Sequence, residues 1–202
     1  MFGIEQKRAM TRAAAKAAKL HSIAAVMRGR SFAGNFEAGG VPYGFTYDPR
    51  KSSLIGRRLR LNGGLTVVDG RPDARVPPHS LNNVRATLVS AQGGIGTAPP
   101  RKKMPADLSP VRPDLPVVES TGALSFCGVL YFKLSPLDGR ALGVPAVMGP
   151  LQLNVRLAPA NDAERNLQGV FSSIVDALFG KQMDIATASA HIRDLNKILA
   201  SG

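Results

Sequence analysis

Apolar and polar residues alternate along three segments of the chain, at positions 84–90, 124–134 and 151–157. Successive side chains of a β-strand point to opposite faces, so a period of two is typical of strands that bury one face. The pattern therefore predicts three half-buried antiparallel strands. Their predicted inward rows are Val84, Ala86 and Leu88; Leu124, Phe126, Gly128, Leu130, Phe132 and Leu134; and Leu151, Leu153, Val155 and Leu157.

A β-hairpin is predicted over residues 57–68, where an Asn-Gly-Gly run at 62–64 supplies turn residues between two alternating stretches. A two-residue turn would place an arginine opposite a leucine and break the apolar face, whereas a three-residue loop keeps the apolar side chains opposite one another. The predicted pairs are Leu61 with Leu65 and Leu59 with Val67, with Arg58 and Arg60 on the outer face.

Residues 161–200 show a different period, with apolar positions three and four residues apart in two successive stretches. This spacing predicts two amphipathic helices that form an αα-hairpin. Asn161 or Asp162 is the expected N-cap of the first helix, Gly180 its expected C-terminal stop, and Asp184 the expected N-cap of the second. The hairpin is too apolar to stand alone, so we expect it to pack on the β-rich body or on another subunit.

Residues 5–28 contain no Pro and only helix-compatible residues, so they predict an amphipathic helix within a basic N-terminal segment, residues 1–30. Apolar residues at heptad-like spacing predict an assembly seam that packs on one partner surface. That seam consists of Met10, Ala13, Ala17, Leu20, Ala24 and Met27. A stripe of cations on another face consists of Arg8, Arg12, Lys16 and Lys19.

Glycine and proline are frequent over residues 31–56, which predicts an extended arm or linker. Six prolines over residues 93–116 predict a stiff Pro-rich loop within the β-rich body. The expected fold class is therefore α+β. An antiparallel β-rich body over 57–157, sandwich or barrel-like, follows a basic N-terminal helix and arm and precedes the C-terminal αα-hairpin.

Composition narrows the possible classes of protein. The chain has 202 residues, of which 44% are apolar, and these suffice for a core and argue against disorder of the whole chain. A single cysteine, Cys127, cannot form an internal disulfide. No apolar run has the length of a membrane span, and the basic N-terminal segment lacks the apolar stretch of a secretory signal. We therefore expect neither a transmembrane protein nor one secreted by a signal peptide.

The sequence offers no recognisable catalytic or metal-binding motif. His21, His79 and His191 are far apart and have no Cys or carboxylate at ligand spacing. The Gly-rich run at 93–97 leads into prolines rather than into a helix with Lys and Ser or Thr, so it is not a phosphate-binding loop. Cys127 lies in an alternating segment and is interpreted as a small core residue. A non-catalytic protein without cofactor or metal is the expectation, although catalytic groups can converge from distant positions.

Charge is the positive functional signal, because 26 Lys and Arg against 14 Asp and Glu give a net charge of +12. Arg outnumbers Lys by 17 to 9, which favours bidentate phosphate contacts. Clustered cations bind nucleic-acid phosphates through Coulomb attraction and counterion release, although solvated faces on a basic protein are the simpler alternative. Besides the N-terminal stripe and Arg50-Lys51, the predicted contacts are Arg57, Arg58, Arg60, Arg101, Lys102 and Lys103.

These features together favour a structural subunit of a virion or a similar nucleoprotein particle, which assembles with copies of itself or with other subunits and contacts nucleic acid through its basic segments. The first alternative is a non-sequence-specific nucleic-acid- or ribosome-associated binder that does not self-assemble. A second is a peripheral membrane protein that uses residues 5–28 as an interfacial helix. The expected location is a virion, or the cytoplasm as part of a nucleoprotein particle. The sequence leaves DNA and RNA as equal possibilities.

Overall fold

The structure is a computed structural model, and it describes residues 22–92, 128–145, 148 and 150–201. Seven strands and two α-helices are formed by these residues. A 3-10 turn, Arg140–Leu142, lies between the sixth and seventh strands. The strands are β1 Ser22–Arg28, β2 Ser31–Ala38, β3 Val41–Ile55, β4 Arg58–Asp69, β5 His79–Gln92, β6 Val129–Leu134 and β7 Gln152–Arg156, and the helices are α1 Asp162–Phe179 and α2 Ile185–Ala200.

The seven strands form one closed barrel in the order of the chain. Each strand pairs antiparallel with the next, and β7 pairs parallel with β1 to close the ring. A closed barrel has no unpaired edge strand, so apolar residues of every strand can share one interior. The expected β-rich, barrel-like body is therefore confirmed, together with the two C-terminal helices.

The barrel interior is built from the alternation seen in the sequence. Along β4 the buried and less buried residues alternate without interruption from Leu59 to Val67. The predicted inward residues of β5 are buried, as are those of β6 and β7 that lie in the described part of the chain. Stacked rings of Phe32, Tyr47 and Phe132 fill the centre, with centroids of neighbouring rings about 6 Å apart.

Residues 57–68 do not form the predicted hairpin, since β4 runs straight through the Asn-Gly-Gly positions. The turn that reverses the chain is instead Gly56-Arg57, and the partner of β4 is β3. Gly63 is needed not for a turn but for close approach, because a Cβ there would lie 2.7 Å from Pro49 Cα. The ladder between β3 and β4 shifts register at this place, between Pro49 and Lys51.

The N-terminal predictions also need correction where the structure describes them. Ser22–Arg28 is β1 and not the end of a helix. Of the predicted assembly seam, Met27 is fully buried in the barrel while Ala24 lies on the outer side of the strand. Residues 31–56 are not an arm, because they form β2 and β3 within the barrel. Tertiary packing of Ile23, Ala25 and Met27 outweighs the helix propensity of an Ala-rich segment.

The two helices close one end of the barrel. Phe171 of α1 reaches the ring of Phe32 inside the barrel, with ring centroids 6.1 Å apart. Asn161 caps α1 as predicted, because its side chain accepts a hydrogen bond from the Glu164 backbone N–H. Glu164 is itself buried and accepts a 2.5 Å hydrogen bond from Gly29 N–H, which fastens the helix to the β1–β2 turn.

The second helix is capped by Asp184, also as predicted. Gly180 follows α1 but has φ −60°, so it is not the left-handed stop that the sequence suggested. A Cβ at Gly180 would instead collide with the Asp176 carbonyl oxygen that accepts the Gly180 N–H. At the opposite end of the barrel, Leu137, Leu142 and Val144 are buried and close the interior.

Candidate nucleic-acid interface

Cationic side chains lie in neighbouring register positions on the outer surface of β3, β4, β5 and β6. Lys51 of β3 pairs with Asn62 of β4, which pairs with Arg85 of β5. The adjacent outward row runs through Ser53, Arg60, Thr87 and Lys133, and the next pairs Ile55 with Arg58. We call this surface the basic face, and its cations are Arg50, Lys51, Arg58, Arg60, Arg85 and Lys133.

Arg50 joins the basic face through the register shift in β3. The guanidinium lies over Gly64, because a Cβ added to this glycine would be 3.4 Å from Arg50 Nη2. Because Gly64 is on the outward row of β4, Arg50 points to the same side as Lys51 and Arg60. Arg50 and Lys51 would face opposite sides of a regular strand, and the bulge brings both to the same side.

No carboxylate neutralises these cations within the described part of the chain. Residues 50–68, 80–92 and 128–134 contain no Asp or Glu at all. The ion pairs found among the described residues lie elsewhere, between Asp69 and Arg71, Asp162 and Arg165, and Asp194 and Lys197. Asp48, the strand partner of Gly64, borders this surface and accepts a hydrogen bond from the Ser31 hydroxyl at 3.0 Å. The six cations outnumber this carboxylate, so the basic face carries a net positive potential that attracts anions.

The opposite side of the same β3–β4 segment packs on α2. Ser52 is buried, and its N–H donates to Asn196 Oδ1 at 2.6 Å while Asn196 Nδ2 donates to the Ser52 carbonyl oxygen at 3.0 Å. The Ser52 hydroxyl adds a 3.3 Å hydrogen bond to the Ile192 carbonyl oxygen. The helical hairpin thus supports the segment from behind, and the cations project from its other side.

Two polar atoms of the basic face are buried and have no hydrogen-bond partner, Arg60 Nε and Asn62 Oδ1. They belong to successive outward positions of β4, in the two rows that also contain Lys51, Arg85 and Lys133. A buried polar group without a partner costs roughly 1–3 kcal/mol, so such groups are rare and a bound water, ion or ligand that satisfies one is stabilising. The donor on Arg60 is therefore the most specific feature of this surface.

The structure brings together only part of the cations that the sequence singled out. Arg58 and Arg60 lie on the basic face, and Arg57 is exposed in the adjoining turn. Sequence reasoning missed Arg85 and Lys133. The alternation in each strand places them on its polar side, but only the pairing of the strands brings them close to Arg60. The residues that lie outside the described part of the chain are Arg8, Arg12, Lys16, Lys19, Arg101, Lys102 and Lys103, together with Met10, Ala13, Ala17 and Leu20 of the assembly seam.

A groove of about 490 Å³ lies on another part of the outer surface and is lined by residues of β1, β2 and β3 and by Val68 of β4. The pairing of β1 with β2 covers residues 26–28 and 31–33. Along its other edge β1 pairs with β7 over residues 22–26. Small side chains such as Ala24, Ala33 and Thr46 line the groove, with Arg28 among them. Its lining contains no carboxylate and no histidine, so it offers shape rather than acid–base chemistry.

The shifted titratable groups have structural roles. Burial raises the pKa of Tyr47 far above its ordinary value, and its hydroxyl donates to the Val84 carbonyl oxygen at 3.1 Å. Hydrogen bonds from Arg71 hold the pKa of Asp69 below its usual range. Hydrogen bonds from Thr187 do the same for Asp184 at the start of α2. Among the described residues no three His, Cys, Asp or Glu side chains are close enough together to hold a metal ion.

Neither of the helices in the described ranges has the length and apolar character required to cross a membrane. Comparisons of the chain with protein-family models, with curated proteins and with solved structures find no match.

Proposed function

We propose that this protein is a non-catalytic nucleic-acid-binding protein that contacts the phosphate backbone through the basic face. The observation that carries the proposal is the register of β3 to β6, which places Lys51, Arg60, Arg85 and Lys133 side by side with no carboxylate among them. Such an arrangement suits a linear polyanion, because several phosphates can be neutralised at once and their counterions released.

Backbone recognition without sequence preference is the expected mode. The outward rows of the basic face contain arginine, lysine, serine and threonine, and these side chains bind phosphate and sugar oxygens. Tyr131, the aromatic residue on the outer side of β6, is buried and its hydroxyl donates to Gln92 Oε1 at 2.8 Å. Base stacking of the kind used by single-strand-binding proteins therefore finds no open aromatic ring on the described rows.

The test is fluorescence anisotropy with random-sequence DNA and RNA over a range of salt concentrations. The double variant Arg58→Gln, Arg85→Gln should bind more weakly than the wild type. Loss of two phosphate contacts should reduce the slope of log K against log salt by about 1.8 on duplex DNA. The matched control Arg75→Gln, Arg140→Gln removes the same charge from exposed positions outside the basic face and should leave the slope unchanged.

Equal losses in the two double variants would mean that net charge, and not the basic face, drives binding. A wild-type affinity that does not depend on salt would contradict the proposal altogether, because phosphate contacts are inseparable from counterion release.

We further propose that this binding serves a virion or a similar nucleoprotein particle, in which copies of the chain associate with one another or with other subunits. The groove between β1 and β2 does not overlap the basic face, so a subunit that docked there would leave the cations free for nucleic acid. Light scattering with and without nucleic acid tests this setting. A protein that stays monomeric at every concentration would favour the simple nucleic-acid binder instead.

Membrane association is the weaker alternative. The interfacial helix that it requires was expected over residues 5–28, and the last part of that range is β1. Sedimentation with anionic lipid vesicles tests it directly, because a peripheral membrane protein should have a higher affinity for the vesicles than for nucleic acid.

A further inference from the structure

We propose that Arg60, Thr87 and Lys133 form a phosphate seat, a site that holds one phosphate group of the bound nucleic acid. The inference rests on the proposed function and makes it specific. It divides the basic face into one position where a phosphate is held by directed hydrogen bonds and a surround of cations that act through charge alone.

Strand pairing brings the three side chains together. Arg60 is the Cα partner of Thr87 across β4 and β5, and Thr87 is the partner of Lys133 across β5 and β6. Neighbouring strands are about 4.8 Å apart, so the two cations flank the threonine over a span of about 10 Å. Both side chains are long enough to reach an anion placed above the threonine hydroxyl.

The unpartnered donor on Arg60 distinguishes this position from the rest of the basic face. Arg60 Nε is buried and makes no hydrogen bond, although an arginine Nε–H is a strong donor. A phosphate bound here would draw the guanidinium outward, so that Nε–H and an Nη group together form the planar fork that matches two phosphate oxygens. The other exposed cations of the face, such as Arg58 and Lys51, have no comparable buried donor.

The surroundings define where the seat ends. The outward row continues from Lys133 to Gln152 of β7, which is buried and donates to Asn154 Oδ1 at 2.6 Å. On the other side of Arg60 the row meets Ser53 of β3, a small residue. A group with several acceptor oxygens and at least one negative charge therefore finds two cations, one hydroxyl and no carboxylate.

A charge-conserving pair of variants tests the seat by anisotropy with the same oligonucleotides. Arg60→Lys keeps the positive charge but removes the fork, and should weaken binding about tenfold, which corresponds to about 1.4 kcal/mol. Arg75→Lys, at an exposed position outside the basic face, is the matched control and should bind like the wild type. Thr87→Val, which removes only the hydroxyl, should also weaken binding, whereas Thr46→Val on the outer side of β3 should not.

Phosphate alone supplies the second measurement. The Nε–Hε signal of Arg60 in a ¹⁵N NMR spectrum, assigned by its loss in Arg60→Lys, should move when inorganic phosphate is added and stay in place with chloride at equal ionic strength. A signal that responds equally to both salts would overturn the seat.

The two failures are distinguishable. Wild-type protein that binds no oligonucleotide would end the proposed function. Strong wild-type binding with equal affinities of Arg60→Lys and Arg75→Lys would leave the proposed function standing and remove the phosphate seat. An Arg60→Lys variant that loses binding to anionic lipid vesicles but keeps its affinity for oligonucleotides would assign the seat to a lipid headgroup and would also overturn the inference.

Discussion

The side-chain amide of Asn196 takes the position of a neighbouring strand beside Ser52, accepting from its N–H and donating to its carbonyl oxygen. The pairing of β2 with β3 ends at Tyr47, so the following residues of β3 have a strand partner on one side only. An amide carries one acceptor and one donor group, and it can therefore satisfy both backbone groups of one strand residue. This contact connects the helical hairpin to the segment that carries Lys51.

Replacement of Asn196 by alanine should therefore destabilise the protein by roughly 1–3 kcal/mol, because it leaves buried backbone groups of Ser52 without partners. Urea unfolding followed by circular dichroism measures the effect. Asn166→Ala, at an exposed position of α1, is the matched control and should change stability by less than about 0.5 kcal/mol. Similar losses in both variants would show that the contact with Ser52 contributes little.

The two adjacent glycines of β4 should respond differently to alanine. Gly63→Ala places a Cβ against the backbone of Asp48 and Pro49, which cannot move independently of β3, and should cost roughly 1–3 kcal/mol. Gly64→Ala meets only the side-chain ends of Arg50 and Asn82 and should stay within about 0.5 kcal/mol of the wild type. Thermal unfolding compares the two. Equal effects would favour a turn at these residues over a continuous strand.

Met27 distinguishes a strand from a helical seam at the N-terminal side of the barrel. The side chain is fully buried among core residues, so Met27→Ala should destabilise the protein by roughly 2–5 kcal/mol. Met183→Ala is the control, because Met183 is 43% exposed, and it should change stability by less than about 0.5 kcal/mol. A stable Met27→Ala variant with reduced self-association would instead support the helical seam.

Asp184 should contribute a pH-dependent part of the stability. Hydrogen bonds from Thr187 lower the pKa of its carboxyl in the folded state, so the stabilisation is present above the unfolded-state pKa and is lost as the pH falls through the folded one. Asp184→Asn keeps an acceptor for the helix N-terminus but cannot titrate. Between about pH 6 and about pH 3 the variant should therefore lose less stability than the wild type, as measured by urea unfolding.

Asp69 and Asp194 also have lowered pKa values, so the stability of Asp184→Asn should still fall in acid, but by less than that of the wild type. Asp73→Asn, in the loop after β4, serves as a control for the general effect of removing one acidic charge. Identical acid profiles for Asp184→Asn and the wild type would exclude a contribution from this cap.

The sequence sufficed for the elements whose pattern is local. The spacing of Leu167, Phe171 and Ile174 predicted α1, and Asn161 predicted its start. Likewise the alternation of Val84, Ala86 and Leu88 identified the inward side of β5. In each of these cases burial, propensity and capping favour the same structure, so local reasoning succeeds.

The errors came from residues whose role depends on a distant partner. Asn62-Gly63 is a strong turn signal, yet Gly63 is glycine because Asp48 and Pro49 approach it from β3. The glycines and prolines over residues 31–56 indicate a linker when they are considered without the strands that pack against them. In the structure Gly34 lacks a side chain because an added Cβ would lie 2.8 Å from the ring of Phe45.

The candidate site was only partly predictable for a related reason. Arg58 and Arg60 stand out as a local cluster, but Arg85 and Lys133 are isolated basic residues in their own segments. Their proximity to Arg60 follows from the pairing of β4 with β5 and of β5 with β6, which no local pattern determines.

The parallel pairing of β1 with β7 has a consequence for biosynthesis. Ser22 lies beside Gln152, so the first strand must wait until the last has left the ribosome before the ring can close. Until then the nascent chain exposes the edge of β1 to other chains, which makes a chaperone or rapid completion of translation important for yield. A pause in elongation while β7 is still inside the ribosome should therefore increase aggregation during synthesis more than the same pause placed after β7 has emerged.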